Sequence, residues 1–379
     1  MKLSSTIKQQ FLAIVFLFFI LNAPAQTVTQ PPSGDNNRCI VTQYIGALVS
    51  VTVTYNSPNV TGPNGEDRRG KIWGQLVPYG YVDQGFGTSK AAPWRAGSNE
   101  NTTISFSHDV LVQGKPLKAG TYGFFIAPDE HGPWTLIFSK TNTAWGSFFY
   151  DEKNDALRIT TTPKDAAFHE WLTYEFIDRE TDSAVCALIW ETKMIPFTIK
   201  VPDMKQVYIS KMRQELENSA GFNWQGWNDA ANYCMMNKTN LDEALAWTDK
   251  AIQFNENFTD LLTRAEVLAA LGRTEEAKAA LDKAVNSPTA TAIQIHMYGR
   301  QLLAQGKKDD ALRVWQLNAK NHPKTWPVNV GLARGYSAIG DYKTALKYAK
   351  QAYEEAPDEM NKNNMKNAIA KLEKSQDIN

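Results

Sequence analysis

Cysteine and histidine are scarce in this chain, three and five among 379 residues. Cys39, Cys186 and Cys234 cannot all pair within one molecule, and no two of them have zinc-ligand spacing. Cys39 with Cys234 is a pairing that an oxidising compartment permits. Net charge is missing too. Lys plus Arg and Asp plus Glu number 40 each, so no overall field draws the chain to nucleic acid or an anionic membrane. After the first residues there is no run of about 18 apolar residues, so no transmembrane segment is expected. There is no H-E-x-x-H, no G-x-S-x-G and no phosphate loop; Gly85-Phe86-Gly87 lies in a β context. His108, His131 and His169, with Glu170, have the side chains for zinc or copper but not the ligand spacing. No motif calls for a metal or a cofactor, and no residue is assigned as catalytic.

What is there begins with an address. Lys2 and Lys8 precede an apolar run over 11–21, and Ala23-Pro24-Ala25 follows as a cleavage site. Residues 1–25 therefore read as a signal peptide, and the mature protein is expected to be exported, periplasmic or extracellular, after cleavage near Ala25. Residues 26–46, polar and carrying Pro31-Pro32 and Asn36-Asn37, read as a flexible leader.

From 47 to 202 the period is 2. Val49, Val51, Val53 and Tyr55 share one face of a half-buried strand. A long Gly/Pro/Asn loop runs from Ser57 to Gly70. Further apolar or alternating segments follow at 71–77, 104–108, 110–112, 121–127, 134–138, 156–162, 171–177, 184–191 and 195–201, separated by turn residues. Such a series predicts an antiparallel β-sandwich or jelly roll. Cys186, in the middle of one segment, reads as a small buried hydrophobe.

Past Pro202-Asp203 the composition turns to Ala, Leu, Lys and Glu, and 203–379 reads as helical. Ala244, Ala277, Ala311 and Ala345 recur in matching pentapeptides, and seven residues further on stand Ala251, Ala284, Asn318 and Ala352. Pro288, Pro323 and Pro357 follow. The near-34 spacing resembles the tetratricopeptide repeat (TPR), a helix-turn-helix unit whose small residues let the two helices cross closely. Four units are expected, the first atypical, with a capping helix at 366–374. The whole chain thus reads as multidomain β then α, a β-sandwich or jelly roll followed by a TPR-like solenoid.

Within the β half, Trp94-Arg95-Ala96-Gly97-Ser98-Asn99-Glu100-Asn101-Thr102 resembles the signature of the DUF2911 family. Tyr55-Asn56-Ser57-Pro58, Lys71-Ile72-Trp73-Gly74-Gln75-Leu76-Val77-Pro78-Tyr79-Gly80, Pro116-Leu117-Lys118-Ala119-Gly120-Thr121-Tyr122 and Trp145-Gly146 support it. The resemblance implies an exported β domain, sometimes followed by tetratricopeptide-like helices, and brings no activity with it. The family's short Gly-Arg before the Lys-Ile-Trp-Gly segment is replaced here by Arg69-Gly70 after a longer loop.

The candidate ligand-binding residues are Trp94, Arg95, Asn99, Glu100 and His108. An arginine fork holds a carboxylate or phosphate through parallel hydrogen bonds, a tryptophan stacks on a sugar or peptide, and Asn99 and Glu100 complete a polar pocket. Alternation puts His108 on the face of Ile104 and Phe106. The scaffold alternative pairs Arg95 with Glu100 and lets Asn99 cap its own turn. Two functions follow. The first is a non-catalytic envelope binding protein, with a small-molecule, glycan or peptide ligand on the β domain and an envelope or secreted protein docked on the repeats; Trp224, Trp227, Trp247 and Trp315 either line that groove or fill the gaps between helices. The alternative is an envelope hydrolase acting on glycans or peptides, with Glu100 and either His108 or Glu170 as acid and base.

Overall fold

The structure is a computed structural model, and it describes residues 36–379. The expected signal peptide and residues 26–35 of the expected leader lie outside the described residues. The chain divides into two compact units, the second beginning at Lys205.

The first unit holds two antiparallel sheets. One has six strands in the order β1 (Asn37–Ile45), β2 (Val49–Ser57), β3 (Thr103–Phe106), β6 (Gly120–Ala127), β7 (Trp134–Ser139) and β8 (Asp155–Thr161). The other has four, in the order β5 (Lys115–Leu117), β4 (Val110–Val112), β10 (Ser183–Lys200) and β9 (Lys164–Arg179). Neither sheet closes on itself. The alternation of β2 is realised as Val49, Val51, Val53 and Tyr55, all buried. The two sheets meet through rings: Tyr55 against Tyr174 at 4.8 Å, Phe124 against Phe197 at 5.6 Å and Phe138 against Phe197 at 6.2 Å.

Three local expectations are corrected. Residues 37–45, taken with the flexible leader, form edge strand β1, paired along its length with β2. Its polar composition suits an edge, where one face and one rim meet water. Residues 71–77 are not a strand. Ile72 and Val77 are buried, but the segment folds back on itself through Val77 N–H to Ile72 O at 2.8 Å and Gly74 N–H to Val77 O at 2.8 Å. The segments at 184–191 and 195–201 are one strand, β10, interrupted by a bulge at Glu191, whose φ is 53°. An extra residue in a bulge bends a strand without ending it.

The second unit contains ten α-helices among the described residues. After α1 (Met204–Leu216) come four helical hairpins: α2 (Trp224–Asn237) with α3 (Leu241–Phe254), α4 (Phe258–Ala270) with α5 (Thr274–Val285), α6 (Ala292–Ala304) with α7 (Lys308–Asn321), and α8 (Trp326–Ala338) with α9 (Tyr342–Glu354). Helix α10 (Glu359–Leu372) follows. The first helices start at 224, 258, 292 and 326, a constant step of 34. The turn after each first helix explains the register. Gly272, Gly306 and Gly340 hold φ of 75°, 77° and 87°, a left-handed conformation that suits glycine. The first hairpin has Lys238 at the equivalent place, with φ 51°. There the second helix starts one residue later relative to the first (241 − 224 against 274 − 258), which is why the first alanine interval in the sequence is 33.

Packing between the helices of the repeats uses the small positions. Ala244, Ala251, Ala284, Ala311, Ala345 and Ala352 are fully buried. Asn318, standing where alanine recurs, is also fully buried, and its amide donates to Ala292 O at 2.9 Å. Trp315 is fully buried, and a methyl at Gly299 or Gly331 would lie 2.4 or 2.5 Å from its ring. Trp247 is buried as well, so these two tryptophans fill gaps between helices and do not line a groove.

Candidate functional site

The stretch 94–102 is held in place by the strands around it. Trp94 and Ile126 exchange backbone hydrogen bonds at 2.9 and 2.8 Å, which adds the loop to the edge of β6. Ala96 O accepts from Tyr174 Oη at 2.9 Å and from Thr102 Oγ1 at 3.0 Å. Ser98 N–H reaches Asn56 O at 3.1 Å. Ala96 and Asn99 both sit at φ 53°. At Gly97, a methyl would stand 2.8 Å from Thr102 Oγ1 and 3.1 Å from Asn56 O, so only glycine fits. Backbone held this far from its relaxed conformation costs free energy, and it is found where a side chain must be aimed.

What the loop aims is Arg95. Its Nη1 donates to Asn99 O at 2.7 Å. The guanidinium lies 5.4 Å from the Phe148 ring centre and packs on Gly146, where a methyl would come within 2.5 Å of Cζ. Among the described residues it has no carboxylate partner. Burial alone pulls its pKa below the ordinary arginine value. Glu100 goes elsewhere, accepting from Asn56 Nδ2 at 2.7 Å. The Arg95–Glu100 pairing of the scaffold alternative is therefore not made.

Arg95 opens on a pocket of about 380 Å³ assembled from the long connection between β2 and β3, with Asn36 and one strand residue, Trp190. Trp94 and Asn99 share its wall, and the other walls carry Arg68, Gln84 and Trp190. Beneath lies a cluster of four indoles. Trp94 and Trp190 stack at 6.1 Å and 17°, and Trp73 packs on Trp94, Trp134 and Trp190 at 5.7, 4.9 and 5.8 Å. Trp94 Nε1 donates to Gly97 O and Trp134 Nε1 to Asp129 O. Trp190 Nε1 and Gln84 Oε1 are buried without a partner among the described residues. An unpaired buried donor and acceptor each cost free energy of about 1–3 kcal/mol, and both belong to residues of this wall.

Arg68, Gln84, Phe148 and Trp190 escaped the sequence reading. Arg68 stands in the long loop, bonded to Glu66 at 3.1 Å and packed on Gly62. That loop is tied down by Glu191, whose Oε1 accepts Gly70 N–H at 2.5 Å from the bulge next to Trp190. The bulge is the one signal that marks the place, and the sequence does not reveal it.

Two of the expected site residues are not on the wall. Glu100 is exposed in the loop, three residues before β3. His108 is not on the inward face of β3, because the strand ends at Phe106 and the chain bends; its Nδ1 lies 2.9 Å from Ser107 Oγ. The whole of β3 separates them, roughly 10 Å at about 3.3 Å per residue. Glu170 is spent on Thr61 N–H at 2.7 Å. The acid and base of the hydrolase alternative are thus not brought together. His131 is exposed in a turn, and His169 Nδ1 lies 2.8 Å from Ala167 O. All three cysteines are free.

The repeats offer a second surface. The facing sides of α4 and α6 enclose an open groove of about 650 Å³ lined by Phe258, Leu262, Ile293, Met297 and Arg300 among others. Among the described residues no helix is long and apolar enough to cross a membrane.

Pocket and repeats together define a class: two antiparallel sheets carrying a cationic, indole-floored pocket, joined in sequence to tetratricopeptide-like helical hairpins. Residues 37–199 match the family model described as "Protein of unknown function (DUF2911)", the family that the loop sequence resembles. The helical part is similar to solved TPR structures. One is YrrB, described as a TPR protein with an unusual peptide-binding site, at 20% identity over 43% of this chain and 84% of that one, TM-score 0.27. Another is TTC0263, a thermophilic TPR protein of Thermus thermophilus, at 16% identity over 44% and 91%, TM-score 0.27. A third is MamA, at 17% identity over 39% and 85%, TM-score 0.28. No curated protein matches the chain.

Proposed function

We propose that this is an exported binding protein of the cell envelope that holds its ligand without transforming it. On this reading the β unit is a two-layer sandwich whose pocket takes a small anionic ligand, a carboxylate or phosphate carried on a flat ring. The observation that carries it is Arg95: a guanidinium fixed by Asn99 O, Gly146 and Phe148, without a carboxylate partner among the described residues. An anion gains most from such a preorganised fork, because the cost of desolvating the cation is already met by the fold. The stacked indoles of Trp94 and Trp190 supply an apolar floor. A volume of about 380 Å³ suits a monosaccharide or a single aromatic ring.

The repeats serve as the docking half, taking an envelope or secreted partner. The apolar run at 11–21 and the Ala23-Pro24-Ala25 site are the motive for export. Saturation-transfer NMR with matched pairs, glucuronate against glucose and benzoate against benzyl alcohol, tests the pocket. Signal from the acid of a pair and not from its neutral partner supports the reading. Equal signal from both, or none from any, removes it.

A further inference from the structure

The segment after α10 reverses direction. Ser375 adopts φ 55°, and Gln376 N–H returns to Lys371 O at 3.0 Å, the closing bond of a left-handed helix cap. Residues 376–379 then lie across α8. Asp377 Oδ1 accepts from Ser337 Oγ at 2.7 Å, and Ile378 N–H donates to the same hydroxyl at 3.1 Å. Asn379 Nδ2 donates to Arg334 O at 3.1 Å, and Arg334 Nη1 donates to Asn379 Oδ1 at 3.3 Å. The Ile378 side chain packs between α8, α9 and α10 beside Val330 and Ala333. The contacts are those of an extended peptide on a helix face: a carboxylate, then an aliphatic anchor, then an amide.

Of the residues that receive it, Arg334 recurs one repeat back, whereas Leu303 stands where Ser337 does. Arg334 stands 34 residues after Arg300, which stands 34 after Glu266, so the three occupy one position on α8, α6 and α4. Arg300 is exposed beside Ile293 and Met297, themselves 50% and 53% exposed, and it makes no ion pair among the described residues. Desolvation and the nearby Arg300 charge hold Arg334 below the ordinary arginine value, and Asp377 opposes them. An arginine pair with an apolar strip alongside is complementary to an acidic, aliphatic strand and repels a basic one.

We propose that residues 376–379 are a built-in occupant of a docking face on α8, standing where an extended peptide with a carboxylate followed by an aliphatic side chain seats, and that such a partner docks there, between α9 and α10 with Arg300 of α6 nearby, by displacing them. The proposal rests on the reading of the repeats as a docking face and is independent of the β pocket. A fluorescein-labelled pentapeptide, Ser-Gln-Asp-Ile-Asn, is titrated by anisotropy against the whole chain and against a chain ending at Ser375. The whole chain binds at least about tenfold more weakly, because the tethered segment competes at an effective concentration in the millimolar range. Arg334→Glu in the shortened chain abolishes binding, and Asn in place of the peptide's Asp weakens it. If shortening unfolds the repeats, the comparison is made with Asp377→Ala/Ile378→Gly in the whole chain, which leaves α10 and its cap intact. Equal binding by whole and altered chains overturns the proposal, as does an altered chain that keeps its helical circular dichroism and leaves the peptide free. A failed pocket leaves this titration unchanged.

Discussion

Arg95 and Glu100 share one loop and bond in different directions: the guanidinium to Asn99 O at 2.7 Å, the carboxylate to Asn56 Nδ2 at 2.7 Å. A cation held half-buried without its counter-charge contributes little to folding, because its desolvation offsets its single hydrogen bond and its contact with Phe148. Arg95→Met is therefore expected to change the unfolding free energy by no more than about 1 kcal/mol in either direction. Urea titration of both chains measures it. A loss above about 2 kcal/mol would place Arg95 among the residues that hold the fold.

The repeats make a sharper demand on space. Trp315 fills the gap left by Gly299 and Gly331, and a methyl at Gly331 would stand 2.5 Å from Cδ1. Gly331→Ala improves intrinsic helix propensity by about 1 kcal/mol. Overpacking against a fully buried ring still leaves a net loss of about 1–3 kcal/mol. Thermal unfolding followed at 222 nm reads the difference, and a variant as stable as the parent contradicts the packing described.

Lys238 carries the opposite lesson. It sits at φ 51° where the next three units have glycine, and its backbone N–H closes the cap onto Cys234 O and Met235 O. A left-handed L-residue costs about 1–2 kcal/mol, and glycine there returns part of it as lost chain entropy. Lys238→Gly is expected to stabilise the second unit by roughly 0.5–1 kcal/mol. A denaturant midpoint that does not rise would contradict this.

Asp260, buried in the first turn of α4, has its carboxyl pushed up to about 7 by desolvation; the Asn257 amide opposes the shift and the Asp229 charge adds to it. The folded chain then keeps a proton that the unfolded chain, at 3.8, releases. The stability this group contributes is complete below about 4 and is lost as pH rises through about 7. Buried His296, held down at about 4, acts with the opposite sign between about 4 and 6.5. Comparing Asp260→Asn with the parent cancels the histidine. The variant's melting temperature should gain on the parent's between pH 5 and pH 8, and parallel curves would refute the assignment.

The repeats were legible because their signal is one-dimensional. A fixed step of small residues survives in Ala277, Ala311 and Ala345, and Gly272, Gly306 and Gly340 repeat it. Strand β2 was legible because burial of one face forces alternation, and β6 and β7 because burial of both faces leaves short apolar runs between turn residues. Strand β1 was not, since an edge strand carries polar residues on its exposed face and rim. Residues 71–77 misled because burial of Ile72 and Val77 gives an apolar run whether the backbone extends or turns. The pocket was half legible. Trp94, Arg95 and Asn99 are neighbours in sequence, whereas Arg68, Gln84 and Trp190 come together only through the long loops and the bulge at Glu191.

The account stands on Arg95 as the anion-holding group of an indole-floored pocket. Its most direct test is a fluorescence titration of the whole chain and of Arg95→Met, exciting the tryptophans while glucuronate or benzoate is added. The parent should show a saturable change that the neutral analogues fail to produce, and Arg95→Met should lose it while melting as the parent does. Superimposable titrations of the two chains would contradict the account.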